Sequence, residues 1–305
     1  MCGVPAPLTP PDGLSVRPLV LTDARAVVEV MAAQEAHDTG EVSIEEADIL
    51  GDWGRPSYDV SAGTVGVFDG ERLVAYAEIM GADRGDAAVH PDYRGRGIGT
   101  ALAGWMQAMA REAGSHVIGM PVPQGSPGDR LLEALGYHVR WQSWVLRLPA
   151  GAEIAPRELP AGYTLREATP ADHEACWTVV EDAFLEWSKR DRMPLDDWLA
   201  TVVGRPGFEP WNLRVVTDAG GAVVGVTQVF VANGEEGYVN KVATRRDQRG
   251  RGIAQAMLVD AFAVARAHGA TTSGLDTDSR TGALGLYERV GMVVHATWVN
   301  RAIDV

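Results

Sequence analysis

The stretch Gln248-Arg249-Gly250-Arg251-Gly252-Ile253-Ala254 joins two segments of different periodicity. Upstream, Tyr238–Thr244 (YVNKVAT) is rich in β-branched and aromatic residues and predicts a strand. Downstream, Ile253, Met257, Leu258, Phe262 and Ala265 recur at helical spacing until Gly269 ends the run. A strand, a glycine-rich turn and a helix, in that order, are suited to holding an anion. Gly250 and Gly252 carry no Cβ to keep an anion away from the backbone. The first turn of a helix offers unpaired N–H groups and a partial positive charge, so together they make a phosphate pocket. Arg249 and Arg251 supply cations able to add charge-assisted hydrogen bonds. The stretch is not a P-loop, because no Gly-Lys-Ser/Thr follows its glycines. It is not a dinucleotide fingerprint either, since Gly250-x-Gly252-x-Ala254 has the wrong spacing and lies late in its domain.

The same pattern occurs twice. Arg94-Gly95-Arg96-Gly97-Ile98-Gly99 is a near copy of the central stretch, at an offset of 155 from Arg94 to Arg249. Leu132-Glu133-Ala134-Leu135-Gly136-Tyr137 matches Tyr287-Glu288-Arg289-Val290-Gly291-Met292 at the same offset. Arg17-Pro18-Leu19 followed by Asp23 resembles Arg166-Glu167-Ala168 followed by Asp172, at an offset of 149. Three matches in one order predict two copies of one domain. The length of 305 residues agrees, at about 150 residues per domain.

The elements that must position these turns follow in parallel. In the first copy, Leu14–Val20 predicts a strand, Thr22-Asp23 offers an N-cap for a helix containing Ala26, Val27, Val30 and Met31, and a short helix lies around Ile44–Leu50. Thr64–Phe68 and Leu73–Met80 predict a hairpin over Asp69-Gly70, and Ala87–His90 leads into the turn. After the Leu102–Met109 helix come strand His116–Met120, helix Asp129–Leu135 and a last hairpin through Trp141, Trp144, Leu146 and Leu148. Residues 150–161, rich in proline and alanine, read as a linker. The second copy repeats the order, with helices at Asp172–Glu186, Leu195–Val203 and Thr281–Val290. Its strands are expected at Tyr163–Glu167, Leu213–Thr217, Ala222–Val231 and Thr271–Asp276, and Val293–Ala302 closes it. Each copy is a mixed α+β unit, a central sheet flanked by helices, giving an N-terminal domain 1–149 and a C-terminal domain 162–305.

Composition narrows the function classes. A formal net charge of −14 without a basic stripe argues against a nucleic-acid partner. Cys2 and Cys176 are the only cysteines, which excludes a disulfide framework, and the seven histidines form no metal-binding pair, so no metal is expected. The start lacks the basic and apolar regions of a leader, and no apolar run approaches a membrane span of roughly 18 residues. A cytoplasmic protein without membrane attachment, monomeric or homodimeric, is the expectation.

Arg249, Gly252 and Ala254 occupy the three fixed positions of Arg/Gln-x-x-Gly-x-Gly/Ala, and the chain thus resembles the GNAT acetyltransferase superfamily over nearly its whole length, twice. The resemblance implies that the loop amides hold the pyrophosphate of acetyl-CoA, the cosubstrate. On that reading the candidate cofactor-binding residues are Val242, Thr244, Arg249, Gly250, Arg251, Gly252, Ile253 and Ala254, with Arg94, Gly95, Arg96, Gly97, Ile98 and Gly99 in the first copy. It also implies a tyrosine that donates to the departing thiolate, within a Leu-Tyr-x-x-x-Gly-Phe-like segment. Leu286-Tyr287-Glu288-Arg289-Val290-Gly291-Met292 matches, with Met292 in place of the aromatic residue, and Tyr287 is the candidate acid.

Acetyl transfer to an amine needs a neutral amine. A lysine-like amine, with a pKa near ~10.4, is neutral in only about one molecule per thousand at pH 7, so a base is useful. Asp276 is the first candidate; Asp278, Glu235, Glu236, Glu181 and Glu186 are the others. Ser279 or Arg280 stands where many members of the superfamily carry Asn. Trp187, Trp198 and Trp211 suggest an apolar wall for a small-molecule amine. The first copy keeps the anion motif but has Leu132 in the tyrosine position and Pro121-Val122-Pro123 at the strand end, and is expected to be non-catalytic. The rival reading is a CoA-binding regulatory protein without enzymatic activity; Tyr287 beside an intact motif argues against it.

Overall fold

A computed structural model describes residues 8–81 and 83–305. Cys2 and the start of the first domain lie outside the described residues. The chain falls into two compact units, one comprising residues 1–142 with 297–305 and the other 143–296.

The first unit runs β1 (Ser15–Arg17), α1 (Ala24–Asp38), α2 (Glu46–Trp53), α3 (Val60–Gly63), β2 (Thr64–Asp69), β3 (Arg72–Met80), β4 (Arg84–Val89), α4 (Ile98–Glu112), β5 (Val117–Pro123) and α5 (Pro127–Ala134). Strands β1 to β4 pair antiparallel in sequence order, and β4 meets β5 in parallel at Arg84↔Gly119. Helices α4 and α5 cover one face through Ile98, Leu102, Trp105, Met106 and Leu132. Helices α1 and α2 cover the other through Val27, Val30, Ile49 and Trp53.

After β6 (His138–Arg147), the second unit repeats this plan. It runs β7 (Thr164–Glu167), α6 (His173–Leu185), α7 (Leu195–Val202), β8 (Leu213–Thr217), β9 (Val223–Ala232), β10 (Glu236–Thr244), α8 (Ile253–Ala267), β11 (Thr272–Asp278) and α9 (Leu284–Arg289). Strands β7 to β10 are antiparallel neighbours, and β10 is parallel to β11. Leu258, Phe262 and Tyr287 pack on one face, with Cys176, Val180, Trp198 and Val202 on the other. The expected mixed α/β architecture is therefore present in each unit, three layers deep.

The distant match at offset 149 has a physical basis. Arg17 donates to both oxygens of Asp23 at 2.7 and 2.8 Å, while Asp23 also accepts the Val20 amide at 2.9 Å. Arg166 and Asp172 repeat this at 2.7 and 2.9 Å, and Asp172 accepts the Thr169 amide at 2.8 Å. In both copies one carboxylate caps the turn that opens the first helix and ties it to the first strand.

The last strands depart from the sequence reading. The expected hairpin through Trp141 to Leu148 is one continuous strand, β6. Its end, Ser143–Arg147, pairs with β11 of the second unit from Asp278↔Ser143 to Gly274↔Arg147. Conversely β12 (Val293–Asp304), expected to close the second copy, pairs with β5 of the first unit from Trp298↔Pro123 to Asp304↔Val117. The compact units thus do not follow the sequence boundaries at 149 and 162. Strand pairing is satisfied by any complementary edge, and local sequence does not say which copy provides it. Residues 150–161, read as a linker, also carry packing: Ile154 is buried among the α8 side chains of the second unit.

Candidate functional site

In the second unit, β10 and β11 pair only from Glu236↔Thr272 to Val239↔Leu275 among the described residues. Beyond that point the register of β10 against β9 shifts between Val239 and Lys241, a β-bulge at Asn240, and β10 continues to Thr244 beside β9. Strand β11 continues to Asp278 beside β6. A bulge bends and twists its strand, so the two parallel strands splay. The splay leaves backbone donors and acceptors of β10 facing a gap that an extended, amide-bearing chain can fill. Thr244 stands at the end of this edge with its Oγ1 buried and lacking a hydrogen-bond partner among the described residues. Val242 is half-buried on the same segment.

The glycine turn follows directly. Gly250 and Gly252 adopt left-handed φ values of 76° and 82°, and Gly252 is the N-cap of α8. The first unit has the same turn: Gly95 and Gly97 lie at 74° and 83°, with Gly97 capping α4. The preceding arginines agree as closely, with φ −68° and ψ 162° at Arg94 and φ −68° and ψ 161° at Arg249. Positive φ costs a residue with a Cβ about 1–2 kcal/mol, which accounts for glycine at these positions. Ile98 and Ile253 turn their side chains into the core, 2% and 1% exposed, and so offer only their amides to an anion. Gly99 and Ala254 differ for a packing reason: a Cβ on Gly99 would lie 2.7 Å from Leu131 Cδ2.

The motif arginines are not aimed at the turn. Arg249 donates to Glu186 at 2.9 and 2.7 Å and to the Thr244 carbonyl at 3.2 Å. Arg94 likewise donates to both oxygens of Asp38, at 2.7 and 2.9 Å. Each arginine therefore clamps the glycine turn to the C-terminal end of the unit's first helix, and hydrogen bonds from Arg249 hold the Glu186 carboxyl below its ordinary range. Arg251 donates to Tyr163 Oη at 3.3 Å, and Arg96 lies over the Tyr93 ring. Arg249 is thus engaged by Glu186 and Thr244, and the groups the second turn itself presents are backbone amides. A cleft of about 560 Å³ flanks the second turn, lined by Ala183, Leu185 and Glu186 of α6 with Arg245, Arg246 and Asp247.

Tyr287, on α9, is 5% exposed with its ring in the α8 core. Its hydroxyl has no hydrogen-bond partner among the described residues. Burial first, then the charge of Asp276, pushes it up to about 12. Leu132, its counterpart on α5, is 3% exposed in the first core. Asp276 is exposed and accepts a hydrogen bond from Tyr238 Oη, a residue the sequence reading placed in a strand without a role. Alternation on a splayed strand could have flagged Tyr238, two residues before the bulge.

Most other base candidates are structural. Glu181, 2% exposed, holds Arg190 at 2.7 and 2.8 Å and the Met193 amide at 2.9 Å. Glu236 pairs with Arg147 at 2.9 Å, and Asp278 holds the amide and guanidinium of Arg280. Glu235 lies exposed in the β9–β10 turn. The three tryptophans form no single wall. Trp198 is core at 1% exposure, Trp211 stacks on His268 at 4.1 Å, and Trp187 lies under Arg280 at 4.8 Å. Among the described residues no cluster of His, Cys, Asp or Glu is arranged to hold a metal ion. No helix among them is long and apolar enough to cross a membrane.

A duplicated strand–turn–helix with left-handed glycines stands in each unit of a mixed α/β fold, and in the second unit it lies beside a pair of splayed parallel strands. The family model described as the Acetyltransferase (GNAT) family matches residues 28–137 and again 171–292, and the chain belongs to that family. It is an acyltransferase with acetyl-CoA as cosubstrate, built as a tandem. The mycothiol acetyltransferase of Streptomyces avermitilis is 29% identical over 242 residues, 75% of each chain. A crystal structure of a GCN5-related N-acetyltransferase from Sphaerobacter thermophilus is 27% identical, covers 97% of both chains and superposes with a TM-score of 0.73. A tandem GNAT protein from the clavulanic acid biosynthesis pathway, 20% identical, shares the fold at a TM-score of 0.70 over 95% of this chain and 98% of that one.

Proposed function

We propose that the chain transfers the acetyl group of acetyl-CoA to the primary amine of a small molecule, with the chemistry in the second unit. The observation that carries this reading is an asymmetry between matched turns. Both units present the same glycine backbone, but only the second follows it with a tyrosine whose hydroxyl lacks a partner among the described residues; the first has buried Leu132. The proposed cofactor set is Thr244, Val242 and the amides of residues 250–254, with Arg249 holding the turn. Domains 1–149 and 162–305 are assigned as non-catalytic and catalytic on the same ground.

In this mechanism the neutral amine attacks the thioester carbonyl, the C–S bond breaks, and Tyr287 Oη donates a hydrogen bond to the departing thiolate. The amine proton leaves through water or through Asp276. Glu181, Glu186, Glu236 and Asp278 are committed to arginines or backbone, so none of these four serves as a strong dedicated base. That favours an acceptor of the α-amino type: its pKa of about 7.7–8.0 leaves roughly a tenth of it neutral at pH 7, against about a thousandth for a lysine-like amine. The relatives named mycothiol acetyltransferase point the same way, toward the cysteinyl amine of a pseudo-disaccharide as the acceptor to try first.

The test is acetyl-CoA-dependent thiol release by the full chain against a panel of primary amines, including aminoacyl sugars and lysine-like amines. Release that depends on an α-amino acceptor is the expected result. Measurable CoA binding with no release for any amine would replace this reading with that of a CoA-binding protein without enzymatic activity.

A further inference from the structure

Three features separate the second glycine turn from the first. A Cβ placed on Gly252 would lie 2.6 Å from Arg157 Nε and 2.7 Å from its Cγ, whereas among the described residues nothing lies within 4 Å of the same atom on Gly97. Arg157 comes from the segment between the repeats, and that segment is pinned along α8. Ile154 is buried in the α8 core, Gln255 Nε2 donates to the Ala155 carbonyl at 2.8 Å, and Leu159 packs with Ile253 and Met257. Tyr163 completes the anchoring by donating to Gln248 at 2.7 Å. Finally, the Arg157 guanidinium makes no hydrogen bond or ion pair among the described residues, while Arg249 is spent on Glu186 and Arg245 on Asp247.

We infer that Arg157 is a cosubstrate-positioning residue of the second unit, closing a charge-assisted contact onto the CoA pyrophosphate at the Gly252 turn. The inference rests on the reading of that turn as the acetyl-CoA site. Amides alone neutralise little of a doubly charged pyrophosphate, and the motif arginine that would assist them is held away by Glu186. A guanidinium laid against the N-cap glycine, on a strap fixed before and after it, supplies that charge with little ordering cost. The segment between the repeats is thus one wall of a cofactor site. Among the described residues the first turn has no counterpart at Gly97.

The test is calorimetric titration of the full chain and of Arg157→Ala and Arg157→Lys with CoA, 3′-dephospho-CoA and pantetheine. A charge-assisted contact predicts CoA and 3′-dephospho-CoA binding weakened about tenfold in Arg157→Ala, partly restored in Arg157→Lys, with pantetheine unchanged. If the parent shows two classes of CoA site, one class alone should respond. Arg157 is exposed, so the melting temperature of both variants should match the parent and exclude misfolding. Unchanged CoA affinity would overturn the proposal. Tighter CoA binding would also overturn it, making Arg157 a cover over the turn, and a loss confined to CoA would move the contact to the 3′-phosphate. A parent that binds no CoA at all would fail the reading of the site itself, an outcome separate from all of these.

Discussion

Substituting Tyr287→Phe removes one hydroxyl and keeps the ring that fills the α8 core. The magnitude follows from the environment of that hydroxyl. Burial and the neighbouring Asp276 push the phenol up to about 12. The thiol of CoA lies at roughly 8.5, so complete proton transfer from the tyrosine would be uphill by ~3.5 units, or about 5 kcal/mol. In the proposed mechanism Tyr287 therefore stays protonated through the reaction and serves as a hydrogen-bond donor to developing negative charge. Such bonds contribute about 1.5–3 kcal/mol, which corresponds to roughly 10- to 150-fold in rate. The expected outcome is a kcat reduced within that range, with the KM for acetyl-CoA little changed, measured by continuous thiol release. Folding should be unaffected to within about 1 kcal/mol, because the lost hydroxyl has no partner among the described residues. A loss below about threefold would refute the donor role. An alkaline limb in kcat between pH ~9 and ~11 that vanishes in the variant would refute the high pKa, since it would mean a tyrosine that ionises during the reaction.

Two further outcomes follow from the carboxylates. Glu186→Gln should release Arg249 and raise the KM for acetyl-CoA with kcat retained, whereas Asp38→Asn, which releases Arg94 in the first unit, should leave steady-state kinetics unchanged. Both partners of the Glu186–Arg249 pair are partly exposed, at 34% and 43%, so the stability change measured by denaturant titration should stay within about 1 kcal/mol. Glu78 gives a pH signature in the first unit: it is 3% exposed, accepts from Trp53 Nε1 at 2.8 Å and faces Asp86 across the strand pair. Burial first, and then the Asp86 charge, pushes Glu78 up to about 7 from 4.5, and burial pushes Asp86 up to about 6. A raised carboxyl pKa means that the folded state holds protons the unfolded chain releases, so stability is full below about pH 4.5 and falls as pH rises through about 7. The shift of about 2.5 units corresponds to roughly 3 kcal/mol. Glu78→Gln should thus stabilise the protein at pH ~8 and not at pH ~4, and equal stabilities of variant and parent at the higher pH would refute the linkage.

The duplication was legible because each half must satisfy the same local chemistry. Arg17…Asp23 and Arg166…Asp172 are short-range caps, and the two glycine turns are short-range backbone requirements, so both leave a pattern in consecutive residues. The sequence also separates Tyr287 from Leu132, and the order of strands and helices emerges with small shifts at the ends, except that the hairpin expected through Trp141 to Leu148 is the single strand β6 and the short α3 was not foreseen. The helix read as Thr281–Val290 begins only at Leu284, because Thr281 is spent on a turn in which its Oγ1 donates to the Asp278 carbonyl and accepts from the Ala283 amide.

Pairings between distant residues were not legible. Arg249 reads from the sequence as a cation for phosphate, yet Glu186, 63 residues earlier, takes both arms of its guanidinium. Glu181 and Glu236 read as free carboxylates, yet each is neutralised by an arginine that folding brings to it. Trp53 and Asp86 meet Glu78 only because α2 lies across the first sheet and β4 pairs with β3.

By itself, then, the sequence determined the repeat, the class of each half, the left-handed glycine turns and which half carries a tyrosine rather than a leucine on its last helix, since these are fixed by residue type and by spacing within a few turns of chain. Tertiary structure alone decided the placement of the closing strands, the partners of the arginines and carboxylates, and the position of Arg157 against Gly252. Each of those depends on which surfaces come within hydrogen-bonding reach, and hydrogen bonds and ion pairs act over a few ångströms of space whatever the separation along the chain.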